Sequence, residues 1–178
     1  MVYGNLAAEL NQEVSLEDKT NVQRIYMLAK YGMSVPGGNG LPPGQAMGDG
    51  SFSALMAEAT RYIGYPYVWG GSSPDTSFDC SGYICWVYTR SGVYHLSRTT
   101  AQGIYDQCAI VSREEASPGD LVFFTGTYAS AGAVSHVGIY VGGSRMLHCG
   151  SPIGYADLTS PYWNSHLYAF GRLATIPE

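Results

Sequence analysis

Asp79-Cys80-Ser81-Gly82-Tyr83-Ile84-Cys85-Trp86-Val87-Tyr88-Thr89-Arg90 is the stretch on which the reading of this chain turns. The run before it, Gly64-Tyr65-Pro66-Tyr67-Val68-Trp69-Gly70-Gly71-Ser72-Ser73-Pro74, holds too much Gly and Pro for a helix. From Tyr83 onward, Ile84, Val87 and Tyr88 share one helical face, and Gly92 stands just past the end. Asp79 then falls at the N-cap and Cys80 in the first turn. Unpaired N–H groups and the positive end of the helix dipole favour a thiolate there, which predicts ionisation below the roughly 8.5 of a free thiol. A buried cysteine packed as a small hydrophobe is the competing reading, and the helix alone does not separate the two.

The later sequence separates them. Ser135-His136-Val137-Gly138-Ile139-Tyr140-Val141 alternates as a strand, and Arg145-Met146-Leu147-His148-Cys149 reads as the next. A cysteine at a helix start, a histidine on a strand and a further polar residue form the nucleophile, base and orienter of a thiol hydrolase. His136 is the first candidate for the base, because Val137, Ile139 and Val141 make one face oily and leave His136 on a face of polar or small residues. His148 is the candidate orienter, with a strand histidine satisfied by backbone as the alternative. His95 and His166 sit in loop-like contexts and receive no role.

Strand parity sets a condition on that pair. A two-residue turn at Gly142-Gly143 would pair Val137 with His148 and bury His148 on the oily face, away from His136. A three-residue loop, Gly142-Gly143-Ser144, would pair Gly138 with His148 and bring both histidines to one face, with Gly138 leaving room between them. A bulge in either strand restores the same parity. The sequence therefore predicts a three-residue loop or a bulge, with His136 and His148 both turned toward Cys80.

The motifs Pro66-Tyr67-Val68-Trp69-Gly70-Gly71, Asp79-Cys80-Ser81-Gly82, Pro118-Gly119-Asp120-Leu121-Val122-Phe123-Phe124 and Ser135-His136-Val137-Gly138-Ile139-Tyr140 follow one another in order. Together they closely resemble the NlpC/P60 family of cell-wall cysteine peptidases, over roughly residues 53 to 173. The resemblance implies a papain-like core and an endopeptidase acting on peptidoglycan stem peptides, at the bond between γ-D-glutamate and the diamino acid. It implies Cys80 as nucleophile, His136 as base and His148 in a third place that is polar and often histidine. Tyr67 is implied to line the cleft and help bind the oxyanion beside the Cys80 N–H. In relatives that take free peptides, the equivalents of Asp79 and Ser81 grip the terminal amine, although Asp79 serves equally well as a helix cap alone. Arg98 and Gln102 match a motif near the cleft without a definable role, and Trp69 is expected to pack rather than bind. Two other functions fit these residues less well. A lipid-directed thiol acyltransferase of the same fold carries histidine before cysteine, the reverse of Cys80 and His136. A non-catalytic wall-binding module has no need of all three site residues.

Composition narrows the rest. The 178 residues suit one well-buried domain. Only 13% are charged, while 15 Tyr and 23 Gly suggest a loop-rich, aromatic surface of the kind that binds polar polymers. A net charge of −5 argues against nucleic acid. Cys85, Cys108 and Cys149 read as structural, and no C-x-x-C or H-x-x-x-H spacing suggests a metal, so no metal or other cofactor is expected. No apolar run reaches the length of a membrane span, and no secretory leader is visible. The family resemblance implies an extracellular or envelope location, with an export signal and perhaps a further domain upstream of residue 1.

The chain divides into a helical segment over 1–33, a Gly/Pro linker over 34–50 and a catalytic domain over 51–178, the part from 53 onward expected to be soluble and active alone. Ser15-Leu16-Glu17-Asp18 opens the first helix, whose stripe is Val22, Ile25, Tyr26 and Ala29. Helices are expected near 53–63 and 99–107, and strands near 120–125, 134–141, 145–150 and 166–173. Helices first and strands later predict an α+β fold with helices packed on an antiparallel sheet of about five strands.

Overall fold

A computed structural model describes residues 46–130, 132–174 and 176. The expected first helix and most of the linker lie outside the described residues. Helix α1, Phe52–Thr60, starts where Ser51 Oγ accepts the Ala54 N–H at 3.1 Å, and it buries Leu55 and Ala59. A small hairpin follows, β1 (Ser72–Ser73) with β2 (Ser77–Phe78). Helix α2, Cys80–Ser91, is capped by Asp79 and ends at Gly92, whose φ of +82° is the left-handed conformation that favours glycine. Helix α3 is Ala101–Tyr105 and α4 is Pro161–His166. Among the described residues no helix is long and apolar enough to cross a membrane.

The remaining strands form one antiparallel sheet: β3 (Ala109–Val111), β4 (Leu121–Phe124), β5 (His136–Gly142), β6 (Arg145–His148), β7 (Gly154–Asp157) and β8 (Leu167–Arg172), in the order β3-β8-β4-β5-β6-β7. The α+β reading holds, with six strands in place of about five. The two that sequence reading missed, β3 and β7, are the sheet's edges. They are three and four residues long and largely solvent-facing, so they carry little hydrophobic alternation to detect.

Helix α2 is buried on every side, not on the single face its apolar spacing suggests. Its long polar side chains make this possible by finding partners inside. Tyr83 Oη donates to the Ala59 carbonyl at 2.6 Å, Tyr88 Oη to the Gly119 carbonyl at 2.6 Å, and Trp86 Nε1 to Glu58 at 3.0 Å. Ile84 and Val87 join Leu121, Phe123, Val137, Ile139 and Leu147 from one sheet face in the main core. The other face, with Val122, Phe124, Met146 and Phe170, is covered by Leu158 and by Trp163 of α4. The face that carries His136 is therefore a second buried layer, where the strand pattern had suggested an open polar one.

The β5–β6 hairpin meets the parity condition through a bulge. Its turn is the two residues Gly143-Ser144, with φ of +58° and +59°, the signature of a type I′ turn. Gly142 pairs with Arg145, and the register then shifts so that Tyr140 pairs with Met146 and Ile139 with Leu147. Val141 is the extra residue, and continuing the register sets Gly138 opposite His148. A Cβ at Gly138 would lie 2.6 Å from Met146 Sδ and 3.1 Å from His148 Cβ. Gly138→Ala is therefore expected to cost about 1–3 kcal/mol through overpacking. Urea unfolding would show it as a lower midpoint at constant slope, and an unchanged midpoint would mean the hairpin has slack that this packing denies.

Candidate active site

Asp79 organises the loop before α2. Its Oδ1 accepts the Gly82 N–H at 2.7 Å and the Ser81 hydroxyl at 3.2 Å, and its Oδ2 accepts the Gly70 N–H at 2.9 Å and Arg98 Nη2 at 2.8 Å. A carboxylate offers about four lone-pair sites, so this one is fully occupied. Of the two sequence readings of Asp79, cap and amine receptor, the geometry favours the cap. Ser81 Oγ also accepts Arg98 Nη1 at 2.7 Å. The guanidinium of Arg98 thus braces both neighbours of Cys80.

Cys80 sits at the floor of a cavity of about 340 Å³ that Tyr67, Trp69, Asp79, Ser81, Arg98, Thr100 and Tyr128 help to line. Its sulfur lies 3.9 Å from the Ser135 carbonyl oxygen, one residue before His136. The two histidines share a face, with His136 Nε2 and His148 Nδ1 2.8 Å apart. Trp163 stacks on His136 at 5.3 Å with a 25° interplanar angle and meets His148 edge-on at 5.0 Å. Both rings are almost inaccessible, at 4% and 3% exposed.

That burial reverses the expected ionisation of Cys80. Desolvation, followed by the negative charge of Asp79, pushes the thiol up to about 12. Arg98, the Tyr67 hydroxyl and the Ser81 N–H pull the other way without prevailing. A helix end stabilises a charge by only about 0.3–1 kcal/mol at an exposed site, whereas full burial shifts a group by several pKa units. Burial likewise lowers His136 to about 3 and holds His148 well below the ordinary imidazole range. Burial thus favours the uncharged form of the thiol and of both imidazoles.

Sequence reasoning missed Trp163 and Tyr128. Ser160-Pro161 is a recognisable helix start, which would have found α4 but not the sheet face it covers. Tyr128 lies among small residues that give no periodic signal; it packs edge-on against Trp69 at 5.1 Å, so Trp69 lines the cavity as well as packing. Cys85 and Cys149 are buried and donate to the Ser97 and Phe78 carbonyls, at 3.6 and 3.2 Å. All four cysteines are free. Among the described residues no cluster of three or more His, Cys, Asp or Glu side chains could hold a metal ion.

Comparison with known proteins agrees with this architecture. The model of the NlpC/P60 family matches residues 64–172, and the chain belongs to that family. It is 49% identical over 123 residues to a bifunctional muramidase/DL-endopeptidase, CwlT, of Bacillus subtilis, an alignment covering 68% of this chain and 36% of that protein. It is 39% identical over 124 residues to a probable endopeptidase p60 of Listeria grayi, covering 69% of this chain and 23% of that protein. The chain thus spans about a quarter to a third of these relatives. A crystal structure of a Staphylococcus aureus protein, described as similar to a lipoprotein of the NLP/P60 family, superposes with a TM-score of 0.67 at 33% identity. That match covers 91% of this chain and 62% of the other.

The pKa directions fix the shape of stability against pH. His136 falls from 6.5 to about 3, so between those values the unfolded chain binds a proton that the folded chain does not, and stability drops on acidification. Cys80 rises from 9.0 to about 12, so between those values the folded chain keeps a proton that the unfolded chain has lost, and stability drops as pH climbs. Urea unfolding across pH should show a plateau from about 6.5 to 9.0 with both limbs falling. His136→Gln should shallow the acid limb and Cys80→Ser the alkaline one. An acid limb unchanged in His136→Gln would place the titration elsewhere.

Proposed function

We propose that this domain is a cysteine endopeptidase that cuts peptidoglycan stem peptides, at the bond between γ-D-glutamate and the diamino acid. The observation that carries the reading is the hydrogen-bonded His136–His148 pair, whose His136 opens the strand that begins beside the Cys80 sulfur. The relatives' names, DL-endopeptidase and endopeptidase, supply the substrate class. Such a substrate places the reaction in the cell envelope or outside the cell.

In this reading His136 uses Nδ1 as the base, and its Nε2–H donates to His148 Nδ1. As the Cys80 sulfur attacks the scissile carbonyl, its proton passes to His136, and His148 stabilises the imidazolium that forms. The Cys80 N–H and the Tyr67 hydroxyl receive the oxyanion. Collapse of the tetrahedral intermediate breaks the C–N bond, and His136 returns the proton to the leaving amine. Water, deprotonated by His136, then hydrolyses the thioester and restores the thiol. Burial favours the uncharged form of both partners, so in this reading the proton moves with the attack. Tyr67 and Ser81 are the side chains proposed to meet the substrate, while Asp79 contributes by holding the loop around them.

Defined muropeptides followed by mass spectrometry test this directly. Cys80→Ala should leave the melting temperature near wild type and abolish cleavage, and cleavage persisting in that variant would end the thiol mechanism. His136→Ala should lose about 10²- to 10⁴-fold in kcat. His148→Asn, which keeps an acceptor for the Nε2–H, should lose less than His148→Ala.

A further inference from the structure

We infer that Gln102 is a positioning residue that holds the segment leading into His136 in register with the Cys80 helix. The inference rests on the Cys80–His136 pairing proposed above. Gln102 lies in the first turn of α3, two residues after Thr100, which lines the Cys80 cavity. Its Oε1 accepts the Val134 N–H at 2.9 Å, a contact spanning 32 residues of sequence. Its Nε2 donates to Asp106 Oδ1 at 3.0 Å, and that bond fixes which end of the amide faces Val134.

Val134 is only 2% exposed and stands two residues before His136. The next residue, Ser135, is tied from the sheet side, its N–H donating to the Phe124 carbonyl at 2.8 Å. Its carbonyl is the one that lies 3.9 Å from the Cys80 sulfur. The peptide that joins the cavity wall to the base is thus pinned from two directions. β4 sets its place in the sheet, and Gln102 sets its place against the wall of the cleft.

Gly132 supplies an independent sign that this contact is built. A Cβ there would fall 2.4 Å from Gln102 Oε1 and 2.8 Å from its Cγ. The backbone passes so close over the amide that any side chain at 132 would displace the acceptor from Val134. Glycine at 132 and glutamine at 102 fit one another. The same geometry gives a role to a residue that sequence reading could place near the cleft but not interpret.

The test uses the full chain and two readouts: muropeptide cleavage, and hydrogen exchange at the Val134 amide, followed by NMR. Gln102→Ala should lower kcat about 10- to 100-fold with KM near wild type, the loss expected for a small misplacement of reacting groups. It should also speed Val134 exchange while the amides of α2 keep their protection. Gly132→Ala should do the same, and the double variant should be no worse than either single one, since both remove one contact. Gln102→Glu combined with Asp106→Asn keeps an acceptor for Val134 and a donor at 106, and should restore both rates. Wild-type kcat and Val134 exchange in Gln102→Ala would overturn the inference, as would losses that merely track a lowered folded fraction or add in the double variant. A wild-type chain that cuts no muropeptide would remove the peptidase reading, and the exchange series would still decide whether Gln102 holds the segment.

Discussion

A single buried carboxylate has room for about four hydrogen bonds, and Asp79 uses them to join three pieces of chain near the nucleophile. Gly70 brings in the loop that carries Tyr67 and Trp69, Gly82 fixes the first turn of α2, Ser81 locks the residue after the cysteine, and Arg98 recruits the segment leading to α3. The loop and the helix touch so closely that a Cβ at Gly82 would fall 2.0 Å from the Gly71 carbonyl oxygen. The cavity above Cys80 is what remains between these segments. The same carboxylate has an electrostatic cost, because its charge opposes the thiolate, and Arg98 offsets part of it.

Placement and ionisation pull against each other throughout the site. Helix α2 is held on all sides, and Trp163 closes over the histidines, so the reacting groups have little freedom to wander. That enclosure removes the water that would stabilise charge, leaving Cys80 protonated and His136 unprotonated. Reactivity then depends on hydrogen bonds aimed at charges that exist only during the reaction. The His136–His148 contact, the Tyr67 hydroxyl and the N–H groups at the start of α2 all serve that purpose in the proposed mechanism.

How much of this was legible follows from which features are local. Asp79, Cys80 and Gly92 announce a helix with defined ends because capping and left-handed turns depend on neighbours a few residues away. The shared face of His136 and His148 was legible from counting residues through a hairpin, although the device that produces it, a bulge at Val141, was one of two that the count allowed. The ionisation of Cys80 was misread because the helix end is visible in sequence and the depth of burial is not. Trp163, Tyr128 and the bond from Gln102 to Val134 depend on segments that meet only in three dimensions, across 32 residues in the last case. The short edge strands β3 and β7 were invisible because they bury too little to leave a pattern.

The bulge at Val141 also bears on how such a hairpin can change over generations. One face of β5 and β6 packs on α2 and the other holds the histidines, and the extra residue at Val141 lets Gly142 face Arg145 while Gly138 faces His148. Straightening β5 at constant length would set Ile139 opposite His148 and swing its ring onto the α2 side. Deleting the bulged residue itself, or adding residues beyond the Gly142–Arg145 pair, leaves the pairing below untouched. Length variation in this hairpin is thus tolerated wherever the bulge or the turn absorbs it, and the change that lineages must avoid is loss of the bulge without loss of a residue.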